Sequence, residues 1–372
     1  MDLAAVAAKA AGLRYVKPGE PGFTRRKRGK VFVLLEGSGK AVTHFDTLAR
    51  FRHLAIPPAW RNVWICRDEH GHLQATGLDA RGRKQYRYHA SWAERRNLTK
   101  FHRMLSFAET LPGMRQRIHA DLSLHGLPRE RVVACVVELL EKTLIRVGNA
   151  EYAKTNQSYG LTTLTGDHVS VKGSTIRFKF RGKSGKDHDI ATHDPRAARI
   201  IRKCQELGGH ELFAYVDDSG VTQDISSSDV NTYLTNACCG EFTAKDFRTW
   251  GGTVFAFEKL RAMPKPTSDR DGKRHMLEVI RSAAQHLGNT PAMSRKYYIH
   301  PAVLASYLDG TIGDALPRHP HPPELTAAEA DLVAFLRKVP AHTATRALLQ
   351  PDLKRQLTKS LRTKRKVAHL EP

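Results

Sequence analysis

The stretch Lys245-Asp246-Phe247-Arg248-Thr249-Trp250-Gly251 places an arginine inside a helical pattern of this 372-residue chain. A second stretch, Leu287-Gly288-Asn289-Thr290-Pro291, places an amide nine residues before Tyr298. Upstream, an arginine lies in Arg146-Val147-Gly148 and a lysine in Gly182-Lys183-Ser184. Two arginines, a lysine, a polar hydrogen-bond donor and a tyrosine are what phosphoryl transfer to a protein hydroxyl requires when no metal is used.

Each of these residues also has an ordinary structural alternative. An arginine near a helix end usually makes a salt bridge, and a tyrosine usually fills part of a core. The combination and its order favour a catalytic set over five unrelated structural roles. The candidate catalytic residues are Arg146, Lys183, Arg248, Asn289 and Tyr298.

Composition indicates a soluble protein that is attracted to polyanions. Mean hydropathy is negative, and the formal net charge is +23 with a pI near 10.0. Residues 1–95 contain 18 Lys/Arg against 8 Asp/Glu, so both halves of the chain are basic. A basic charge on both halves suits a protein that holds a nucleic-acid duplex from two sides. The alternative is a solvated basic surface without a partner.

Several site classes are not supported by the sequence. The five cysteines show no C-x-x-C or Cys/His ligand spacing, which predicts reduced thiols and no zinc site. Gly182-Lys183-Ser184 resembles the end of a P-loop, but Arg177 stands where the first glycine of that motif is needed. We therefore expect no cofactor, neither metal nor nucleotide, and chemistry from side chains alone.

Periodicity predicts an α+β fold in which a β-rich part precedes a mostly helical part. Residues 1–95 read mainly as strands, with a hairpin turn at Asp68-Glu69-His70-Gly71 and a short helix over Asp46–Leu54. The predicted helices cover 97–110, 128–145, 194–207, 228–237, 244–262 and 270–287. Strand patterns over Leu161–Leu164, His168–Val171 and Ser174–Phe180 predict a small sheet among these helices.

The predicted domains are 1–95, a β-rich DNA-binding domain, and 96–318, a helical catalytic domain. Residues 319–372 are predicted to form a linker, a C-terminal helix and a basic tail. The linker is His319-Pro320-His321-Pro322-Pro323, and a capping box at Thr326-Ala327-Ala328-Glu329 opens the helix.

Cations alternate with aromatic and amide side chains in Arg81-Gly82-Arg83-Lys84-Gln85-Tyr86-Arg87-Tyr88. On a strand, period-two alternation puts Tyr86 and Tyr88 on one face with Lys84. Arginine and lysine hold phosphates, whereas glutamine and tyrosine can reach base edges. The alternative is an exposed edge strand with no ligand.

From about Pro21 to about Leu304 the chain closely resembles type IB DNA topoisomerases, in particular the poxvirus-like branch found in bacteria. The resembling N-terminal motifs are Ile56-Pro57-Pro58-Ala59-Trp60 and Asp79-Ala80-Arg81-Gly82-Arg83-Lys84-Gln85-Tyr86. The resembling catalytic motifs are Arg146-Val147-Gly148, Tyr159-Gly160-Leu161, Gly182-Lys183, Lys245-Asp246-Phe247-Arg248-Thr249 and Ser294 to Tyr298. The resemblance implies two domains that form a clamp around duplex DNA.

The resemblance also implies roles for the candidate residues. Tyr298 is expected to be the nucleophile that forms a 3′-phosphotyrosyl link, and Arg146 and Arg248 are expected to hold the non-bridging oxygens. Lys183 is expected to be the general acid, with Lys186 as a nearby competitor. Asn289 departs from the histidine of much of the wider superfamily, so hydrogen bonding without proton transfer is expected there.

Tyr297 is adjacent to Tyr298 and is a competing nucleophile. On a helix the two hydroxyls would point about 100° apart, so only one of them could face the phosphate.

The expected activity is relaxation of positive and negative supercoils without ATP or metal, because the covalent link preserves the phosphodiester energy. DNA contacts are expected from Gln85, Tyr86 and Tyr88 in the major groove, and from Tyr152, Lys245 and Arg295. The expected partner is double-stranded DNA, and the expected protein is a cytoplasmic, nucleoid-associated monomer without a secretory signal or membrane span.

Two other functions remain open at this stage. A tyrosine recombinase uses a similar catalytic set, but usually has His-x-x-Arg where this chain has Lys245-x-x-Arg248. A non-catalytic DNA-binding protein would need only the basic charge. It predicts salt-sensitive binding without a covalent adduct.

Overall fold

The structure is a computed structural model that describes residues 3–29, 31–80, 82–313 and 321–339. Contacts between Cα atoms divide the chain into two units, 1–100 and 101–372. The first unit is β-rich and the second is mostly helical with small antiparallel sheets, which confirms the predicted α+β class. The predicted limits at 95 and 318 stay predictions, and residues 319, 320 and 340–372 lie outside the described ranges.

One five-stranded antiparallel sheet forms the centre of the first unit. Its strands are β1 (Gly22–Arg28), β2 (Val31–Leu35), β3 (Arg61–Cys66), β4 (Leu73–Leu78) and β5 (Lys84–Tyr88), in the order β2-β1-β3-β4-β5. The helices are α1 (Leu3–Lys9) and α2 (Phe45–His53). A cluster around Phe51, Val63 and Ile65 joins α2 to the sheet. The β3–β4 pairing confirms the predicted hairpin.

The second unit contains most of the helices and two small sheets. Its helices are α3 (Ala90–Leu122, which starts in the first unit), α4 (Arg129–Thr143), α5 (Ala150–Asn156), α6 (Pro195–Leu207), α7 (Ser227–Cys238), α8 (Ala244–Ala262), α9 (Asp269–His286), α10 (Pro291–Tyr297), α11 (Pro301–Leu308) and α12 (Ala327–Lys338). Its strands are β6 (Val169–Lys172), β7 (Thr175–Arg181) and β8 (Asp187–His193) in one sheet, and β9 (Ala214–Val216) and β10 (Thr222–Asp224) in a separate pair. No helix in the described ranges is long and apolar enough to cross a bilayer.

Burial patterns explain why these segments fold as they do. Strand β7 alternates strictly, with Ile176, Phe178 and Phe180 buried and the residues between them exposed. That period of two covers one face of the sheet with core and leaves the other polar. Helix α4 is apolar all round from Val132 to Val137 and packs against α6, α7 and α8 at the centre of the unit.

One predicted strand is wrong. Residues Leu161–Thr163 form a single 3₁₀ turn instead of a strand. Their backbone N–H groups are used locally, because Leu161 donates to the carbonyl of Arg146 and Thr162 to that of Val147. This pairing holds the Arg146 loop, so the apolar run serves the site and not a sheet.

Helix α12 is fastened to the unit by a buried charged cluster. Glu329 accepts hydrogen bonds from Arg115 at 2.7 Å and from the indole Nε1 of Trp250 at 2.9 Å, and Arg115 also contacts Glu141. Burial opposes the charge on Glu329, but the hydrogen bond and charge of Arg115 outweigh it and lower the pKa of that carboxyl. Glu329 also caps α12 through Thr326, which confirms the predicted capping box.

We predict that Glu329→Ala destabilises the protein by about 3–5 kcal/mol, because it leaves the buried Arg115 charge and the Trp250 N–H without this partner. Denaturant unfolding followed by tryptophan fluorescence measures the change. Glu258→Ala is the matched control, since Glu258 is exposed on α8. It should shift the free energy of unfolding by no more than about 0.5 kcal/mol. Equal effects of the two substitutions would contradict the structural role of the cluster.

Candidate active site

Arg146 is presented by a loop that leaves the end of α4. The helix stops at Leu144, which adopts a left-handed conformation with φ of 52°. The chain returns past Arg146 at Gly160. Only glycine allows this close approach, because a Cβ at Gly160 would lie 2.5 Å from the carbonyl oxygen of Arg146. The guanidinium of Arg146 donates to Oδ1 of Asn289 at 2.5 Å. Two predicted site residues that are 143 positions apart therefore lie in direct contact.

Arg248 projects from the first half of α8 and is only 4% exposed. Its Nη2 donates to the carbonyl of Leu287 at 2.6 Å, while its Nε has no hydrogen-bond partner. Burial, and then the nearby charge of Arg146, lower the pKa of Arg248 to about 10. This arginine stays charged at neutral pH, but in the unliganded protein its charge is stabilised less than usual.

Asn289 follows the turn that ends α9, where Gly288 has a φ of +59°. The side chain is 9% exposed, and its Nδ2 is a buried donor without a partner. Buried donors are nearly always satisfied, and exceptions often mark sites where a ligand supplies the acceptor. The free donors of Asn289 and Arg248 lie within one contact network.

Tyr298 lies immediately beyond α10 and not within it. Its φ of −131° and ψ of −7° are not helical, so the predicted 100° separation from Tyr297 does not apply. The Arg248 guanidinium lies 5.5 Å from the centre of the Tyr298 ring. Tyr297 instead lies 5.1 Å from the ammonium group of Lys296. Of the two tyrosines, Tyr298 is the one in contact with the arginine cluster.

The backbone of Tyr298 is held directly against α8. A Cβ at Gly252 would lie 2.8 Å from the Tyr298 carbonyl oxygen, so only glycine allows this approach. The neighbouring Thr253 donates its hydroxyl to the same carbonyl at 3.2 Å and accepts from the backbone N–H of His300 at 3.1 Å. Helix α8 thus positions both Arg248 and the tyrosine, one turn apart.

The two candidate lysines lie on the β7–β8 turn and have different surroundings. Lys183 is exposed, and within the described ranges it makes no hydrogen bond or ion pair. Lys186 donates to the backbone carbonyl of Asn289 at 2.6 Å. The structure therefore brings Lys186, and not the side chain of Lys183, into contact with the other predicted residues.

The predicted DNA-contacting residues are divided between the two units. Tyr86 and Tyr88 lie on β5 of the first unit, are 45% and 40% exposed, and have stacked rings 6.0 Å apart. Gln85 faces the other way and donates to Asp79. The remaining three are in the second unit: Tyr152 on α5, Lys245 in the first turn of α8 and Arg295 on α10.

Sequence reasoning missed the residues that set the spacing of the site. The Gly251-Gly252 pair inside a helical pattern was an available signal, since glycine inside a helix usually has a packing reason. A Cβ at Gly251 would lie 2.8 Å from the Leu144 side chain. His188 on β8, whose pKa is lowered by burial and then by the charge of Arg146, had no such signal.

The arrangement offers hydrogen-bond donors and positive charge that suit a tetrahedral anion beside a tyrosine. It combines two guanidinium groups, two buried donors without partners, and the long, exposed side chain of Lys183 on the neighbouring β7–β8 turn. A phosphodiester carries one negative charge and two non-bridging oxygens, which match these donors. Among the described residues, no group of three His, Cys, Asp or Glu side chains has a metal-binding geometry.

Comparison with known proteins agrees with this chemistry. The family described as "Eukaryotic DNA topoisomerase I, catalytic core" matches residues 89–312, and "Bacterial DNA topoisomerase IB, N-terminal domain" matches residues 31–79. DNA topoisomerase 1B of Acanthamoeba polyphaga mimivirus is 29% identical over 293 residues, which cover 77% of this chain and 87% of the relative.

More distant relatives include DNA topoisomerase 1B of Vaccinia virus (strain Copenhagen), 22% identical over 64% of this chain and 74% of its own length. DNA topoisomerase 1 of Rabbit fibroma virus (strain Kasza) is 24% identical over 68% and 79%, respectively. Because the catalytic-core family covers more than half of the chain, the protein belongs to the type IB DNA topoisomerases, enzymes that change the topology of DNA.

Proposed function

We propose that this enzyme relaxes positive and negative supercoils through a covalent link between Tyr298 and a DNA 3′-phosphate, without ATP or metal. The observation that carries the proposal is the contact network of Arg146, Arg248 and Asn289 beside Tyr298, with two buried donors left unsatisfied. The five residues predicted from their order in the sequence are here assigned roles in one reaction.

Cleavage begins when the phenolic oxygen of Tyr298 attacks a backbone phosphorus and gives its proton to solvent water. The Arg248 guanidinium lies 5.5 Å from the centre of this ring, so a cation stands beside the attacking group. Negative charge then develops on the non-bridging oxygens. Arg146, Arg248 and the Nδ2 of Asn289 supply fixed donors for that charge, which is the condition for large electrostatic stabilisation.

The leaving group is a DNA 5′-oxygen, which departs as a poor alkoxide unless it receives a proton. Lys183 is proposed as the donor, because its side chain is exposed at the tip of the turn and is not engaged elsewhere in the described ranges. Lys186 is engaged with the Asn289 carbonyl and is proposed to hold Asn289 in place. In religation the 5′-hydroxyl returns its proton to Lys183, attacks the phosphorus and releases the tyrosine.

Between the two steps the cut strand can rotate about the intact one, driven by the torsion in the DNA. We propose that the two units bind the duplex from opposite sides as a monomeric clamp, at the nucleoid in the cytoplasm. Support comes from the excess of positive charge in both parts of the chain and from the exposed, stacked Tyr86 and Tyr88. Gln85, Tyr152, Lys245 and Arg295 are proposed as further DNA contacts.

Tyr298→Phe should abolish relaxation of negatively supercoiled plasmid in EDTA without ATP, because the nucleophilic oxygen is lost. It should also abolish the protein–DNA adduct that SDS traps. Tyr297→Phe is the matched control and should keep most of the activity, since that ring lies beside the ammonium group of Lys296. Relaxation by the Tyr298 variant and none by the Tyr297 variant would reverse the assignment.

Gly252→Ala should lower the rate of single-turnover DNA cleavage by about 10- to 100-fold, the range expected when a reacting group is displaced by about 1 Å. The new Cβ would push against the Tyr298 carbonyl, whereas non-covalent DNA affinity should change little. Gly113→Ala is the control, because that glycine lies inside α3 with no atom within 4 Å of the added Cβ. An unchanged cleavage rate for Gly252→Ala would show that the spacing of α8 and Tyr298 does not limit the reaction.

The roles of Lys183 and Lys186 can be distinguished with a DNA substrate in which sulfur replaces the scissile 5′-oxygen. The sulfur is placed at a cleavage position that SDS trapping has mapped beforehand. A thiol has a pKa of only about 8.5, so a thiolate leaves without a proton. Lys183→Ala should slow cleavage of ordinary DNA by about 10²–10⁴-fold, the usual contribution of a general acid, and recover on the sulfur substrate.

Lys186→Ala should slow cleavage of both substrates alike, because it removes the donor to the Asn289 carbonyl and so disturbs the amide that is proposed to hold the phosphate. Recovery of the Lys186 variant, and not the Lys183 variant, on sulfur would assign the proton to Lys186.

A further inference from the structure

His188 fills a gap between the two turns that carry the proposed lysine and amide. On one side, a Cβ at Gly182 would lie 2.6 Å from the imidazole Nε2 and Cδ2. On the other side, a Cβ at Gly288 would overlap the imidazole Cε1. The ring therefore occupies space that any side chain at either glycine would need. Gly182 directly precedes Lys183, and Gly288 directly precedes Asn289.

The imidazole is held in this position by the sheet. His188 pairs with Phe180 across the β7–β8 ladder, and the two rings are stacked with centroids 4.8 Å apart and planes 9° apart. Phe180 itself is a buried residue of the main core. The position of the ring is thus set by the core of the unit.

The two turns on either side of the ring are not equally well anchored. The Asn289 turn is held by the backbone bond of Asn289 to Ala284 at 2.8 Å and by Arg146. The lysine turn is exposed from Lys183 to Gly185, and Lys186 ties it to the Asn289 carbonyl. Loss of the imidazole should therefore move the lysine turn more than the amide.

The ring also favours its neutral form more than an ordinary histidine does. Burial lowers the pKa of His188, and the charges of Arg146, Arg248 and Lys186 lower it further. A neutral, stacked imidazole between two glycines is a rigid spacer, because it has one fixed thickness and no flexible chain to reorient.

We propose that His188 is a positioning residue that sets the separation between the lysine turn and the Asn289 turn, and so aims Lys183 at the leaving 5′-oxygen. The inference rests on the proposed function, in which a lysine of this turn protonates that oxygen. Its specific consequence is that removing the ring should impair proton donation and leave the attack by Tyr298 largely intact.

The test compares single-turnover cleavage of ordinary DNA and of the 5′-sulfur substrate by His188→Ala. We expect a loss of about 10- to 100-fold on ordinary DNA, as for other small displacements of a reacting group. On the sulfur substrate the rate should return to within a few-fold of wild type. His188→Gln, which keeps a planar group of similar size, should recover part of the rate on ordinary DNA.

His193→Ala is the matched control, since His193 lies on the same strand, is exposed and pairs with Thr175 at the far end of the ladder. Gly182→Ala is a second route to the same effect, because its Cβ pushes the ring away without removing it. It keeps the test valid even if His188→Ala fails to fold. Thermal unfolding and non-covalent DNA affinity report on the fold of each variant.

Three results have distinct meanings. Recovery on sulfur by both His188→Ala and Lys183→Ala supports the inference. Equal loss on both substrates by the histidine variants, with recovery by Lys183→Ala, overturns the inference and leaves the general acid in place. If neither lysine variant recovers on sulfur, the proposed proton donor is wrong, and the role of His188 fails with it.

Discussion

Arg146 and Arg248 are two cations in a largely buried site, where burial and then the charge of Arg146 lower the pKa of Arg248. Burial lowers the pKa of both guanidinium groups. Within the described ranges neither makes an ion pair with a carboxylate; Arg146 donates to an amide oxygen, Arg248 donates to a backbone carbonyl, and the Tyr298 ring lies beside Arg248. This like-charge contact costs stability in the free protein. An anion between the two groups would offset the repulsion, which is why the proposed function assigns both arginines to a phosphodiester and its more highly charged transition state.

Such a cluster requires backbones to approach more closely than ordinary side chains allow. Three glycine positions provide the approach: Gly251 lies against Leu144 before the Arg146 loop, Gly252 lies against Tyr298, and Gly288 lies against His188 before Asn289. Each contact fixes one predicted site residue through the backbone beside it. The positions of the site residues therefore depend less on bonds between their side chains than on close packing of the backbone segments that carry them.

This dependence explains which parts of the structure the sequence could predict. The order of Arg146, Arg248, Asn289 and Tyr298 is a chemical pattern, and α8 has clear helical periodicity, so both are visible in one dimension. The strand predicted over Leu161–Leu164 is wrong because its N–H groups bond to the Arg146 loop, a long-range choice that an apolar run does not reveal. Strand β1 was not predicted because Arg25 to Arg28 are basic on both faces. The roles of Gly252 and His188 depend on tertiary contacts with residues distant in sequence, which the periodicity of the sequence does not predict.

The acidic side chains near the site are placed so that they do not compete with DNA. Trp250 follows Arg248 by two residues on α8, a rotation of about 200° around the helix axis, so the two side chains leave opposite faces. The Trp250 indole binds Glu329, which also binds Arg115 together with Glu141. The carboxylates thus stabilise the back of α8, while its front keeps Arg248 without an acidic partner. A carboxylate on the front would satisfy the guanidinium in the free protein, and a phosphodiester would then have to displace it. By separating the two faces, α8 is held firmly in the fold and still keeps Arg248 without an acidic partner, as its proposed contact with a phosphodiester requires.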